Sequence, residues 1–197
     1  MASKAEEMAN LRSEARCIEP DVCEPATTIV WGEGNLDAKL VLVGEAPGMQ
    51  EAKTGRPFVG PAGHLLDREL ERAGIQRSEI YITNAVKCRP TQAGPRGVKN
   101  RQPSSDEIIE WRDVLYRELE IVSPVVTAAL GRIAASVLIG PKFEITKLRG
   151  QWFEGKDERR LIATYHPSYL LRADAYGDEE KIIQFRQDLK AIKDAIN

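Results

Sequence analysis

The sequence is short of several things, and each shortage excludes something. It has no excess of positive charge: 28 Lys and Arg stand against 30 Asp and Glu, a formal net charge of −2. A uniformly basic surface is excluded, so any polyanion must be met by a local patch. No apolar run is long enough to span a bilayer. The first residues, MASKAEEMANLRSEAR, are charged and lack an apolar core, so they do not read as a secretory leader. Cysteine is scarce, with 3 in 197 residues. Without a leader these do not read as a disulfide set, and a reduced cytosolic protein is expected. Histidine is scarcer still, at 2. There is no internal repeat and no low-complexity tract. No Gly-rich phosphate loop of the usual spacing follows Val43, because Gly44-Glu45-Ala46-Pro47-Gly48 puts an acid where an anion would sit.

What is present is ordinary for a chain with a real core: 42% hydrophobic and 29% charged residues. The length points to one domain over 1–197, with residues 1–28 as an N-terminal helix and loop appendage. Short apolar runs at 38–43, 80–83, 124–130 and 160–164 read as buried strands, and Ile29 to Trp31 as a further short one. Between them lie helical patterns. Leu65, Leu66, Leu70 and Ala73 share a face before Gly74, and Ser104 with Glu107 forms a capping box ahead of a helix running to Val122. A closing helix covers 178–196. Strands alternating with helices predict an α/β fold with a parallel sheet covered on both faces.

The stretch 40–63, LVLVGEAPGMQEAKTGRPFVGPAG, organises the rest. A buried strand breaks at Gly44 into a long loop stiffened by Pro47, Pro57 and Pro61 and carrying Glu45, Glu51 and Phe58. Open α/β sheets put ligand chemistry outside the carboxyl ends of their strands. Asn84 follows the next strand, and His166 follows the last. The segment 90–103 is read as a Gly/Pro-rich basic loop bearing Arg96, Lys99 and Arg101, with Arg89 just before it. The other histidine, His64, is read as structural or surface.

GEAPG at 44–48, GRPFVGPAG at 55–63, TNAVKCRP at 83–90 and HPSYLLR at 166–172 come in one order at four strand ends. Together they resemble the uracil-DNA glycosylase superfamily, and most closely its family 4, the iron–sulfur type. The resemblance covers the chain from Cys17 onward. It implies a three-layer α/β/α sandwich around a four-stranded parallel sheet. It also implies a monofunctional hydrolase that excises uracil from single- and double-stranded DNA by cleaving the N-glycosidic bond, initiating base excision repair.

The base must leave the stack and enter a pocket. On this resemblance Phe58 stacks on uracil, Asn84 reads its O4/N3–H edge, and Glu51 lies near C5, where it disfavours a thymine methyl. Gly44 and Ala46 complete the uracil-binding set. His166 donates to O2 as negative charge develops there. Ala46 stands where family 1 carries a water-positioning Asp, so Asn100 and Glu45 are the candidates for handling water. Ser168, Leu170 and Arg172 resemble the segment that enters the duplex, where an apolar wedge fills the gap and Ser and Arg hold phosphates. Arg89 and Arg101 add to the DNA-binding surface. The partners implied are uracil-containing DNA and free uracil as product, with no membrane, for a monomer in the cytoplasm at the nucleoid. Two rival readings are a broader deaminated-base glycosylase, acting on hypoxanthine or mispairs, and a non-catalytic uracil-DNA-binding relative.

The chain departs from the family in its cysteines. Family 4 holds a [4Fe–4S] cluster on four of them. Cys88 matches the third position, Trp111 occupies the fourth, and Cys17 and Cys23 are separated by five residues rather than two. Cys17, Cys23 and Cys88 are the metal candidates if a cluster is retained. The expectation is an incomplete or lost cluster, with no cofactor required for the chemistry. The 91–103 segment is longer than usual and resembles the insert of uracil-trapping relatives, but it holds no His, so covalent trapping is not expected.

Overall fold

The structure is a computed structural model describing residues 2–15, 28–95, 97–155 and 159–197. Cys17, Cys23 and Arg96 lie outside the described residues. In chain order the elements are α1 (Lys4–Ala15), β1 (Glu33–Gly34), β2 (Leu40–Gly44), α2 (Met49–Thr54), α3 (Pro61–Arg72), a 3-10 turn (Arg77–Glu79), β3 (Tyr81–Asn84), β4 (Thr91–Gly94) and β5 (Gly97–Asn100). There follow α4 (Ser105–Val122), β6 (Val126–Leu130), α5 (Arg132–Leu138), α6 (Ile145–Leu148), β7 (Trp152–Glu154), β8 (Arg160–Thr164), α7 (Pro167–Ala175) and α8 (Glu179–Ile196).

The main sheet has the order β1-β3-β2-β6-β8-β7. Its centre, β3-β2-β6-β8, is parallel throughout. The edge strands β1 and β7 run antiparallel to their neighbours. The expected four-stranded parallel sheet is present, extended at each edge by a short antiparallel strand. All of β2 is buried, as a strand covered on both faces must be. Side chains alternate between layers. Val41, Val43, Tyr81, Ala129 and Ala163 face the layer that holds α1 and α4. Leu40, Leu42, Ile82, Ala128 and Ile162 face Leu66 of α3 and Phe185 and Leu189 of α8. That is the α/β/α sandwich.

Local chemistry sets the helix ends. In α3, Pro61 opens the helix, and Gly74, at φ +70°, lets the chain turn so that Ile75 N–H bonds Leu70 C=O at 2.9 Å. In α4 the capping box is formed: Glu107 N–H donates to Ser104 Oγ at 3.1 Å, and Ser104 N–H donates to Glu107 Oε2 at 2.6 Å. Trp111, Leu115 and Leu119, each four residues from the next, line its buried face.

Four local expectations are corrected. Ile29 to Trp31 is not a strand; Val30 N–H merely donates to Lys87 C=O at 2.8 Å, and the ladder is joined by Glu33–Gly34 instead. Residues 49–54, read as loop, form α2. The basic loop is a hairpin in which β4 and β5 pair from Thr91↔Asn100 to Gly94↔Gly97. Helix α1 is no loose appendage: Met8, Leu11 and Ala15 are buried, and Lys4 Nζ reaches the carbonyls of Leu36 and Val122 at 3.1 and 3.0 Å.

Strand register aligns the motif residues. Gly44 pairs with Asn84 and Leu130 with Thr164, so the carboxyl ends of β2, β3, β6 and β8 finish along one edge.

Candidate active site

That edge opens into a cavity of about 810 Å³. Its volume is in the range of small-molecule sites. Glu45, Phe58, Asn84, Asn100, His166 and Arg172 all line it, so the first loop and the segment after β8 meet across roughly a hundred residues of chain.

Asn84 is the last residue of β3 and is 2% exposed. Its amide Oδ1 is buried and has no hydrogen-bond partner in the protein. A buried acceptor of this kind costs about 1–3 kcal/mol unless something satisfies it. Gly44, opposite in the ladder, makes the approach possible: a Cβ there would collide with Asn84 Oδ1 and with the Phe58 ring.

His166 caps α7. Ser168 N–H donates to its Nδ1 at 3.1 Å, and the Ser168 hydroxyl lies 2.8 Å from the same nitrogen. Nδ1 is therefore an acceptor, and the neutral ring carries its proton on Nε2. Burial, assisted by the Arg172 charge, pushes the imidazole pKa down to about 4. The group is a neutral N–H donor at physiological pH. Behind it, Gly131 has φ +91°, and a Cβ on it would lie 2.9 Å from His166 Cβ. The Phe58 and His166 rings are 5.9 Å apart and tilted by 33°.

Phe58 has φ +53°, a left-handed conformation that is strained for a bulky residue. Its surroundings hold it there. Glu51 Oε1 accepts the N–H groups of Val59 and Gly60 at 2.9 and 2.7 Å. Arg77 Nη2 donates to Pro57 C=O at 2.9 Å while Nη1 pairs with Asp67 at 2.6 Å. Gly63 leaves room for the Phe58 carbonyl. Glu51 thus anchors the loop with one oxygen, and the other faces Gly48. Arg77 was missed by sequence reasoning, since no local pattern links it to a loop twenty residues earlier.

Glu45 lies in the cavity wall. Burial raises its pKa, against the charges of Arg132 and Arg172. Arg132, at the start of α5, is a second cavity residue that the sequence did not single out. Asn100 ends β5, and its Oδ1 accepts from Arg89 Nε at 2.7 Å. Ala46 and Ser168 line the cavity as well.

One expected DNA-binding residue is corrected. Leu170 is 0% exposed and packs in the core with Phe185 and Leu189, so it cannot enter a duplex. Helical phase turns it inward, whereas Tyr169 and Leu171 line the cavity. Arg101 pairs in a fork with Glu107, at 2.6 and 2.8 Å, and its Nε donates to Thr91 C=O at 2.8 Å. It braces the hairpin against α4, and it also lines the cavity.

The cysteine corner lies on the α1/α4 side. Trp111 is 0% exposed and meets Trp31 edge to face, ring centroids 6.1 Å apart at 80°. Cys88, 1% exposed, belongs to the same apolar cluster. Among the described residues no group of three or more His, Cys, Asp or Glu could hold a metal ion. A four-thiolate site does not fit residues that put an indole in the fourth position.

Comparison with known proteins agrees with the geometry. A sequence profile described as the uracil DNA glycosylase superfamily matches residues 31–190. The type-4 uracil-DNA glycosylase of Thermotoga maritima is 47% identical over 147 residues, 74% of this chain and 73% of that protein. That of Archaeoglobus fulgidus is 39% identical over 190 residues, 92% and 89% of the two chains. That of Pyrobaculum aerophilum is 37% identical over 167 residues, 81% and 79%. With the strand-end motifs converging on one cavity and these relatives covering most of its length, the chain belongs to the uracil DNA glycosylase superfamily.

Proposed function

We propose that the protein is a monofunctional DNA glycosylase that hydrolyses the bond between uracil N1 and the sugar C1′, leaving an abasic site. One observation carries this reading. A buried, unpartnered Asn84 Oδ1 shares a cavity with an imidazole whose Nδ1 is already occupied. Uracil offers N3–H to the first and O2 to the second.

Each step uses a residue already placed. Phe58 supplies a face for the flipped base. Asn84 accepts N3–H and donates to O4, a pattern that cytosine reverses. As the bond to C1′ lengthens, negative charge gathers on the base, and the Nε2–H of His166 stabilises it at O2. The donor is already aimed, so no reorganisation is needed at that moment. Glu45 faces the cationic sugar and orients water. Asn100 is less suited to accept a proton from water, because Arg89 occupies its amide oxygen. Glu51 holds the Phe58 loop and, through its remaining oxygen, guards the C5 side. Arg172, Ser168 and Arg89 meet phosphates, while Tyr169 and Leu171 supply the apolar contact.

The catalytic unit is the single domain, working as a monomer in the cytoplasm at the nucleoid. No helix among the described residues is long and apolar enough to cross a membrane. The chain works without a four-thiolate cluster, and the Trp111–Trp31 pair fills that space; stoichiometric iron and sulfide in anaerobically purified protein would overturn this. The activity is tested with a uracil-containing oligonucleotide and alkaline cleavage of abasic sites. Strand scission is expected, and none above a buffer control would defeat the reading.

A further inference from the structure

The fully buried ion pair behind Asn84 plays no part in the steps above. Lys87 and Glu118 are both 0% exposed and lie 2.5 Å apart. The three donors of the Lys87 ammonium are all used: Glu118 Oε2, Thr83 Oγ1 at 2.8 Å and the backbone carbonyl of Asn84 at 2.7 Å. Glu118, reaching up from α4, also accepts from Thr83 Oγ1 at 2.8 Å and from the Tyr81 hydroxyl at 3.2 Å.

The pair sits where the ladder ends. The pairing of β2 with β3 stops at Gly44↔Asn84. Beyond it, Ala85 and Val86 donate to the carbonyls of Gly44 and Glu45 at 2.9 and 3.1 Å. The Asn84 carbonyl has left the ladder at the point where its side chain must face the cavity. A buried carbonyl needs a donor, and Lys87 supplies it. A buried ion pair adds little net stability over an apolar pair of the same volume. What a trivalent point donor does add is a fixed position for three acceptors at once.

We propose that Lys87 is a positioning residue for uracil recognition: it clamps the Asn84 carbonyl and so sets the peptide that aims the Asn84 amide at the base edge. The proposal rests on the reading of the pocket as a uracil site.

The test compares two variants. Lys87→Met/Glu118→Gln removes the clamp without stranding a charge; if it does not fold, the apolar pair Lys87→Met/Glu118→Met takes its place. Glu118→Gln alone keeps the bond from Lys87 to Asn84. Three quantities are read: uracil-over-cytosine excision, inhibition by free uracil, and the NMR resonances of the Asn84 side-chain amide. Both variants should lose thermal stability. Only the Lys87 variant should lose selectivity and uracil inhibition, each by about tenfold or more, because displacing a recognition group by an ångström is costly. Its Asn84 amide resonances should shift. Selectivity, inhibition and resonances unchanged in the Lys87 variant, or equal losses in the Glu118→Gln chain, would overturn the proposal. If the wild-type protein releases no uracil, the functional reading fails, while the Asn84 resonances still decide whether Lys87 positions that amide.

Discussion

The carboxyl edge of the sheet and the corner built on α1 and α4 are buried in opposite ways. At the edge, groups are left open or held under strain: Asn84 Oδ1 lacks a partner, Phe58 sits at φ +53°, and His166 is kept neutral. In the corner, Trp111, Trp31, Leu115 and Cys88 close on one another with no cavity role. Two regions of one core are thus built for different ends. The first forgoes stability to await a ligand; the second fills space with aromatic area. Substitutions should separate the two regions, rate changes at one and stability changes at the other.

His166→Ala should lower the rate of uracil release by about 10²–10³, the range for removing one preorganised donor; single-turnover kinetics would show it, and an unchanged rate would remove His166 from the chemistry. The same residue gives a stability signature. Its folded pKa of about 4 lies below the ordinary value of 6.5, so between those values the unfolded chain binds a proton that the folded chain refuses. Stability should therefore rise with pH through that window, and His166→Gln should flatten the slope in denaturant titrations.

Glu45→Gln should cost about 10²-fold if the carboxylate orients water. Burial raises its pKa above 4.5, while His166 stays neutral until about 4. The acid limb of kcat/KM should thus belong to Glu45 and move to lower pH in the variant; a limb left in place would assign it elsewhere. Asn84→Asp should narrow discrimination between uracil and cytosine by about tenfold or more, measured on paired oligonucleotides, since the site would lose its complementary donor. At the other end of the scale, Trp111→Ala should leave the rate of the folded enzyme within about twofold while reducing stability by about 3–5 kcal/mol in urea unfolding. A large rate loss with little destabilisation there would erase the distinction between the two regions.

Much of this contrast is legible in the sequence, for reasons that are local. The runs LVLVG and RLIAT are continuous and bounded by breakers, and Ser104 to Glu107 is a self-contained cap, so strands and cap can be read directly. The motif residues at strand ends can be placed because a parallel sheet must finish its strands on one edge. What is not legible depends on distance or phase. TQAG and GVKN have only one β-branched residue each and no apolar alternation to announce a hairpin; their pairing is held at the base by Arg101 and Glu107. Leu170 and Leu171 are equivalent as letters, and only the helical phase of α7 decides which is buried. Glu51 reads as a residue facing the base, whereas two backbone N–H groups eight and nine residues on claim it first.

Gly131 has no chemistry of its own, yet any side chain there would press on His166 from behind, at a backbone angle that other residues resist. In a population of variants, inactivating alleles should therefore not cluster only at residues that touch the base. A one-methyl change at Gly131 would count among them, and a screen for lost activity that ranked substitutions by chemical severity would overlook it.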